Sequence, residues 1–226
     1  MLATDRNLSI KNGVKPQAET QAETHELQGM VDLMSAPMTF RRNVEIYGEG
    51  EPAEYLYKIQ IGAVRTYKVL ADGRRQVGGF YLAGDTFGLE TDAEHAFSAE
   101  AISECKLLVI KRSALVALAA RDYDVACQLW ALTGAELRKV QDHILLLIKN
   151  AEERVAAFLL EMAERVPVGA TVELPMSRQD IADYLGLTIE TVSRTLRHLE
   201  SASTIQFSSS RRIVLRNRSA LARLNT

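Results

Sequence analysis

Apolar and polar residues alternate along this chain in two rhythms, and each rhythm predicts its own kind of element. Between residues 44 and 110 the period is two. Val44–Tyr47, Tyr55–Ile59, Ala63–Leu70, Gln76–Leu82 and Lys106–Ile110 are short alternating runs that predict half-buried strands. The turns between them carry glycine: Gly48-Glu-Gly-Glu-Pro52, Ala71-Asp-Gly-Arg74 and Ala83-Gly-Asp85. Asp72-Gly73 is a strong hairpin signal, because a tight turn between twisted strands needs positive φ. Strands and turns so spaced predict a small antiparallel barrel or roll. Upstream, residues 1–25 are polar with few large apolar side chains and predict an arm without a core. Leu27 to Met38 reads as a short helix with Leu27, Met30, Val31, Leu33 and Met34 on its apolar side and Pro37 at its end.

After the roll the period lengthens to that of helices. Ser113 to Arg121 predicts a short one. Val125 to Asn150 predicts a long one carrying Trp130, Thr133, Leu137, Val140, Ile144, Leu147 and Ala151 at alternating spacings of three and four. That is the seam along which two helices pack, and it predicts a homodimer; a helix buried within one subunit is the alternative. Leu145, Leu146 and Ile148 widen the apolar surface toward the chain's own domains. Glu152 to Arg165 continues as helix, with Val155, Phe158, Leu159 and Met162 on one side, until Pro167-Val-Gly169.

The stretch from Pro175 to Glu200 holds two short helices around a tight turn. Ser177 caps the first, Ile181, Ala182 and Leu185 form its buried face, and Gly186 ends it. Leu187 plugs the corner, and Thr188 caps the second helix, which buries Val192, Leu196 and Leu199 and turns Glu190, Ser193, Arg194 and Arg197 outward. A helix-turn-helix requires this division, because one face of its second helix holds the domain and the other enters the major groove of double-stranded DNA. Val172–Leu174, Ile205–Phe207 and Ile213–Leu215 supply strands for a wing around Ser208-Ser-Ser-Arg-Arg212, and Arg218 to Thr226 a last helix.

Charge sharpens this division. Residues 175–226 hold 8 arginines against 4 acids, whereas residues 1–174 hold 19 Lys/Arg against 25 Asp/Glu. A basic reader on an acidic body suits a nucleic-acid partner. Arg194 has the planar fork for guanine O6 and N7, Glu190 is an acceptor for the cytosine amino group, and Ser193 gives or accepts one bond. Arg178, Thr191, Arg197, Ser208 and Arg212 are candidates for phosphate contacts, which set register and affinity but not sequence. No apolar run approaches a membrane span and no secretory leader is legible, so a cytoplasmic protein without membrane contact is expected. Cys105 and Cys127 are too few for a cluster, the four histidines show no metal-ligand spacing, and no enzyme constellation stands out, so neither metal nor cofactor nor catalysis is expected. The two cysteines remain the only possible redox thiols.

Gly48-Glu-Gly-Glu-Pro-Ala-Glu-Tyr-Leu-Tyr57, Ile61-Gly62, Asp72-Gly73 and Gly84-Asp-Thr-Phe-Gly-Leu-Glu90, followed by the helix-turn-helix, resemble the CRP/FNR superfamily of bacterial transcription regulators. The resemblance implies an α+β fold: an antiparallel, cyclic-nucleotide-binding-like β-roll over residues 26–121, a dimerisation helix over 122–151 and a winged helix-turn-helix over 152–226, after the arm of residues 1–25. It implies dimerisation through the long helix and recruitment of RNA polymerase, with the Arg165-to-Ala170 loop and the Asp72-Gly73 turn as candidate contacts. Glu190, Ser193 and Arg194 match the Glu-x-x-Ser-Arg pattern of the FNR/FixK branch, which implies an inverted TTGA/TCAA-type repeat. Family members often have glycine near Ser203-Thr204, so the turn before the wing is expected to differ.

Members that bind cyclic AMP use an Arg-Ser-Ala motif; Phe97-Ser98-Ala99 stands here, with Lys139 and Val140 where those members place hydroxyls, although Glu90 persists. Oxygen-sensing members hold an iron–sulfur cluster on N-terminal cysteines, which residues 1–25 lack. His95, expected to be an exposed loop residue, offers only a remote haem ligand, and both cysteines are expected to be buried. The resemblance therefore points to a FixK-like regulator, expected to activate transcription without a bound effector. An effector-dependent member, taking a cyclic nucleotide, haem or another small ligand in the roll, and a sensor module that does not bind DNA are the alternatives.

Overall fold

The computed structural model describes residues 35–165 and 171–224. Eight strands make two antiparallel four-stranded sheets. One has the order β1 (Ser35–Phe40), β8 (Cys105–Lys111), β3 (Tyr55–Ile61), β6 (Thr86–Phe87); the other has the order β2 (Glu45–Tyr47), β7 (Ser98–Ala101), β4 (Ala63–Val69), β5 (Arg75–Leu82). Alternate residues of the two sheets point inward and fill the roll with Tyr47, Tyr57, Ile59, Val64, Tyr81, Phe87, Leu107 and Val109. The β4–β5 hairpin closes at Gly73 with φ +83°, as its Asp-Gly pair requires. Gly62, at φ +98°, is fixed by close approach: a Cβ there would stand 2.3 Å from the Glu104 carbonyl oxygen.

Three of these strands were not legible in the alternation. Ser35–Phe40 pairs with β8 instead of finishing a helix, which corrects the helix expected to run to Met38; residues 27–34 lie outside the described residues. β1 lies at the edge of its sheet, the one place where Pro37 forfeits no needed ladder bond. β6 is two residues long, and β7 is Ser-Ala-Glu-Ala, small residues held by pairing with β2 and β4.

Helices α1 (Arg112–Ala119) and α2 (Tyr123–Leu147) follow. Asp122 caps α2 by accepting the backbone N–H groups of Asp124 and Val125. Helix α3 (Ala151–Arg165) starts where Asn150 accepts the N–H groups of Glu152 and Glu153 while Glu153 reaches back to the Asn150 N–H. Then come β9 (Thr171–Glu173), α4 (Arg178–Leu185), α5 (Ile189–Ser201), β10 (Ile205–Phe207), β11 (Arg212–Leu215) and α6 (Arg218–Leu224). The last three strands form one antiparallel sheet in the order β10-β11-β9. One apolar core runs from Val77, Phe80 and Leu82 of the roll through Phe158 and Met162 of α3 to Leu185, Leu196 and Leu199.

Candidate DNA interface

Short-range chemistry builds the reading unit. The Ser177 hydroxyl accepts the Asp180 N–H at 3.1 Å while the Asp180 carboxylate accepts the Ser177 N–H at 2.9 Å, a reciprocal cap worth about 1 kcal/mol. Gly186 ends α4 in the left-handed region at φ +62°, and Thr188 caps α5 by accepting the Thr191 N–H at 3.2 Å. Val192, Leu196 and Leu199 are buried and hold α5 to the domain. At roughly 1.5–3 kcal/mol per fully buried side chain, these anchors fix the rotation of the helix about its axis.

That rotation decides what faces outward. Glu190, Arg194 and Arg197 are exposed, and Ser193 and Thr191 are half-buried beside them. The Glu190 carboxyl lies below its usual pKa, held by its own backbone N–H and the Thr188 hydroxyl, so at neutral pH it is an acceptor only.

The candidate phosphate contacts divide. Arg178 is half-buried: its guanidinium lies 5.3 Å from the centre of the Phe207 ring and donates to the Ser210 carbonyl at 3.3 Å, bracing the wing. Burial lowers its pKa, from an ordinary value far too high for the charge to be lost. Arg212 and Ser208 are exposed at the wing, where Arg212 meets Glu173 at 3.3 Å and the Ser208 N–H bonds the Arg212 carbonyl at 2.9 Å. Ser203, before the wing, takes φ +56°, a left-handed conformation that suits glycine.

Two ties were absent from the sequence reading. Arg154 donates to the Lys149 carbonyl at 2.7 Å and the Leu185 carbonyl at 2.8 Å, joining the α2–α3 junction to the turn between the reading helices. Arg65 and Arg75 of the roll grip Asp180 and Asp183 of α4. Both join residues far apart in sequence, so local periodicity carries no trace of them.

The seam expected on α2 lies on an open face. Trp130 is 83% exposed and Ile144 58%; Thr133, Leu137 and Val140 are also exposed, and Leu147 and Ala151 are half-buried. Of the three residues expected to touch the chain's own domains, only Leu146 is buried; Leu145 and Ile148 face outward and broaden the apolar stripe.

A groove of about 1040 Å³ separates the roll from α2. It lacks the arginine that the resemblance assigns to a cyclic phosphate. The Phe97 ring, standing where the resemblance puts the phosphate-binding arginine, covers Gly78 so closely that a Cβ there would come within 2.9 Å of it. The carboxylates of Glu90 and Glu136 face the same space, and Lys139 is engaged with Glu136 at 3.3 Å. His95, expected at the surface, is 2% exposed and stacks on Tyr47 with ring centres 3.5 Å apart. Cys105 is buried, its thiol directed at the Ala63 and Ser103 carbonyls and pushed up in pKa by burial, whereas Cys127 is exposed instead of buried as expected. Among the described residues no group of three or more His, Cys, Asp and Glu is placed to hold a metal, and no helix is long and apolar enough to cross a membrane. Of the candidate polymerase contacts, residues 166–170 lie outside the described residues, and the Asp72-Gly73 turn is exposed.

Comparison with known proteins agrees with this geometry. Residues 37–122 match the cyclic nucleotide-binding domain and residues 153–224 the Crp-like helix-turn-helix domain. The nitrogen fixation regulation protein FixK of Azorhizobium caulinodans is 53% identical over 205 residues, covering 87% of this chain and 82% of that protein. FixK of Rhizobium meliloti is 42% identical over 195 residues, covering 84% and 89%. The solved structure of FixK2 from Bradyrhizobium japonicum superposes with a TM-score of 0.83 at 53% identity, over 85% of this chain and 98% of that one. Its relatives are transcription regulators rather than enzymes, and with them this chain belongs to the CRP/FNR superfamily, on its FixK-like branch, carrying a helix-turn-helix that binds DNA.

Proposed function

We propose that the chain acts as a homodimer that reads an inverted TTGA/TCAA-type repeat without a bound effector and recruits RNA polymerase to activate transcription in the cytoplasm. The observation that carries this reading is the outward face of α5, where Glu190, Ser193 and Arg194 stand together above a fully buried apolar anchor. Arg194 takes guanine, Glu190 cytosine and Ser193 the adjoining pair, while Thr191, Arg197, Ser208 and Arg212, with Arg178 bracing them, meet phosphates. The exposed stripe from Trp130 to Ile148 makes two copies the natural unit. A two-fold dimer sets its recognition helices about one turn of DNA apart, which is why the target is an inverted repeat.

Selection of binding sites from random DNA, with purified protein and no added ligand, tests this reading. It should return the inverted repeat, and Arg194→Ala should weaken binding by about 1–3 kcal/mol per half-site, relaxing preference at the guanine position. Equal binding by Arg194→Ala and the parent would remove the base-reading role.

The groove favours a second reading, an effector-responsive regulator. Tyr47 and Glu90 line it; the Tyr47 hydroxyl is buried without a hydrogen-bond partner, and the buried Glu90 oxygen has only His95 Nδ1 near it, at 3.4 Å. Under that reading no repeat is selected until a ligand is supplied, and the ligand raises the melting temperature.

A further inference from the structure

The recognition helix is useful only if the roll, the long helix and the reader hold a fixed relation, and the contact between roll and reader includes a cluster of charged side chains. Arg75, at the start of β5, donates from Nη2 to Asp180 at 2.7 Å and from Nε to Asp183 at 2.8 Å. Arg65, on β4, bonds the same Asp180 oxygen through Nη1 and holds both oxygens of Glu100 through Nη2 at 3.0 Å. The centre of the Tyr67 ring lies 5.7 Å from the Arg65 guanidinium and 5.9 Å from that of Arg75. Asp180 is 3% exposed and also caps α4 through Ser177.

The surroundings explain why charge is placed there. Phe80 of the roll packs on Tyr184 of α4, ring centres 5.2 Å apart, and Phe158 of α3 closes on the same ring at 5.9 Å. Apolar contact holds surfaces together without fixing their angle, because it is non-directional. A guanidinium fork on carboxylates is directional and short-ranged. Both guanidinium groups meet Asp180 in the N-terminal turn of α4, and Arg75 also reaches Asp183 a turn later, so the clasp fixes both the position and the tilt of the helix. Gly186 and Leu187 then join α4 to α5 with no slack, the Leu187 N–H bonding the Ala182 carbonyl at 2.9 Å.

We propose that Arg65 and Arg75 are positioning residues for DNA reading: by gripping Asp180 and Asp183 they set the angle at which each protomer carries α5, and with it the half-site spacing that the dimer accepts. The inference rests on the proposed dimeric reading of an inverted repeat. It assigns to a built-in clasp the alignment of the reader that a ligand would otherwise supply.

Full-length Arg75→Gln, Asp183→Asn and their combination test it; Asp180 is left alone because its cap would be lost too. Binding is followed by fluorescence anisotropy on the preferred repeat and on repeats with the spacer one base pair longer or shorter. The parent should prefer its spacer by about tenfold, since one base pair turns a half-site by about one-tenth of a helical turn. Each variant should flatten that preference to under about threefold, and the double variant should go no further than the worse single one, because the two side chains share one interaction. Arg75→Lys, which keeps the charge without the fork, should fall between. Binding weakened by the same factor on all three spacers, or not weakened at all, leaves the preference intact and overturns the proposal. Amide exchange is the arm that needs no DNA: residues 178–185 should exchange faster in both single variants, and unchanged exchange overturns the clasp. A parent that binds no inverted repeat overturns the proposed target instead, and the exchange arm then decides the clasp by itself.

Discussion

Arg194 and Glu190 owe their position to residues that never meet DNA. Val192, Leu196 and Leu199 hold one side of the helix in the core, and the caps at Ser177, Gly186 and Thr188 fix where each helix begins and ends. All of this is written locally, as a capping residue, a left-handed glycine or an apolar spacing, so the reading helix was legible from sequence alone. The placements of His95 and Cys127 were not. Burial of His95 follows from its stack on Tyr47, 48 positions upstream, which no local pattern records. Cys105 is buried as expected, while Cys127 lies on the open side of α2. A thiol reagent should therefore label the native protein quickly at one site, and Cys127→Ser should abolish that fast phase. Rapid labelling of two thiols in the folded parent would contradict the burial of Cys105.

At the scale of elements, the helices and the long strands follow from periodicity, and the exceptions have identifiable causes. β1 contains a proline tolerated only at an edge, β6 is too short to show a period, and β7 lacks β-branched or aromatic residues. Helix α2 displays its seam in sequence, yet the stripe is broader than the heptad, because Leu145 and Ile148 also face outward. The proposed dimer gives the stripe its occupant. Ile144→Glu would place an unpaired carboxylate in the middle of that interface, at a cost of several kcal/mol. Sedimentation equilibrium should show a monomer where the parent is a dimer, with the same secondary structure by circular dichroism. An unchanged dimer would mean that another surface pairs the subunits.

The whole molecule is held together by contacts that cross its parts. The core continues from roll to reader, Arg154 ties the α2–α3 junction to the helix-turn-helix, and the Arg65–Arg75 clasp joins roll to α4. The buried faces of the core were legible helix by helix, but the two arginine ties were not, since each joins charges that look like ordinary surface residues until the chain is folded. His143 is another such group: it packs on Tyr184 at 4.2 Å, and burial holds its imidazole below the ordinary pKa of 6.5. The folded chain therefore takes up fewer protons than the unfolded chain as pH falls below about 6.5. The titration of His143 leaves stability unchanged with pH above that value and lowers it below. In urea titrations between pH 8 and pH 5.5, the parent should lose more stability than His143→Leu, and equal losses would remove the assignment. The central claim concerns the assembled molecule, a dimer whose reader is aligned without a ligand. Its most direct measurement is a fluorescence-anisotropy titration of the purified, ligand-free chain on an inverted TTGA/TCAA repeat, beside a duplex with one half-site scrambled. The account predicts saturable binding of two chains per intact repeat, at least about a thousandfold tighter than nonspecific binding, and a marked loss on the scrambled duplex. Binding of the two duplexes with equal affinity, or no binding until a small molecule is added, would contradict it.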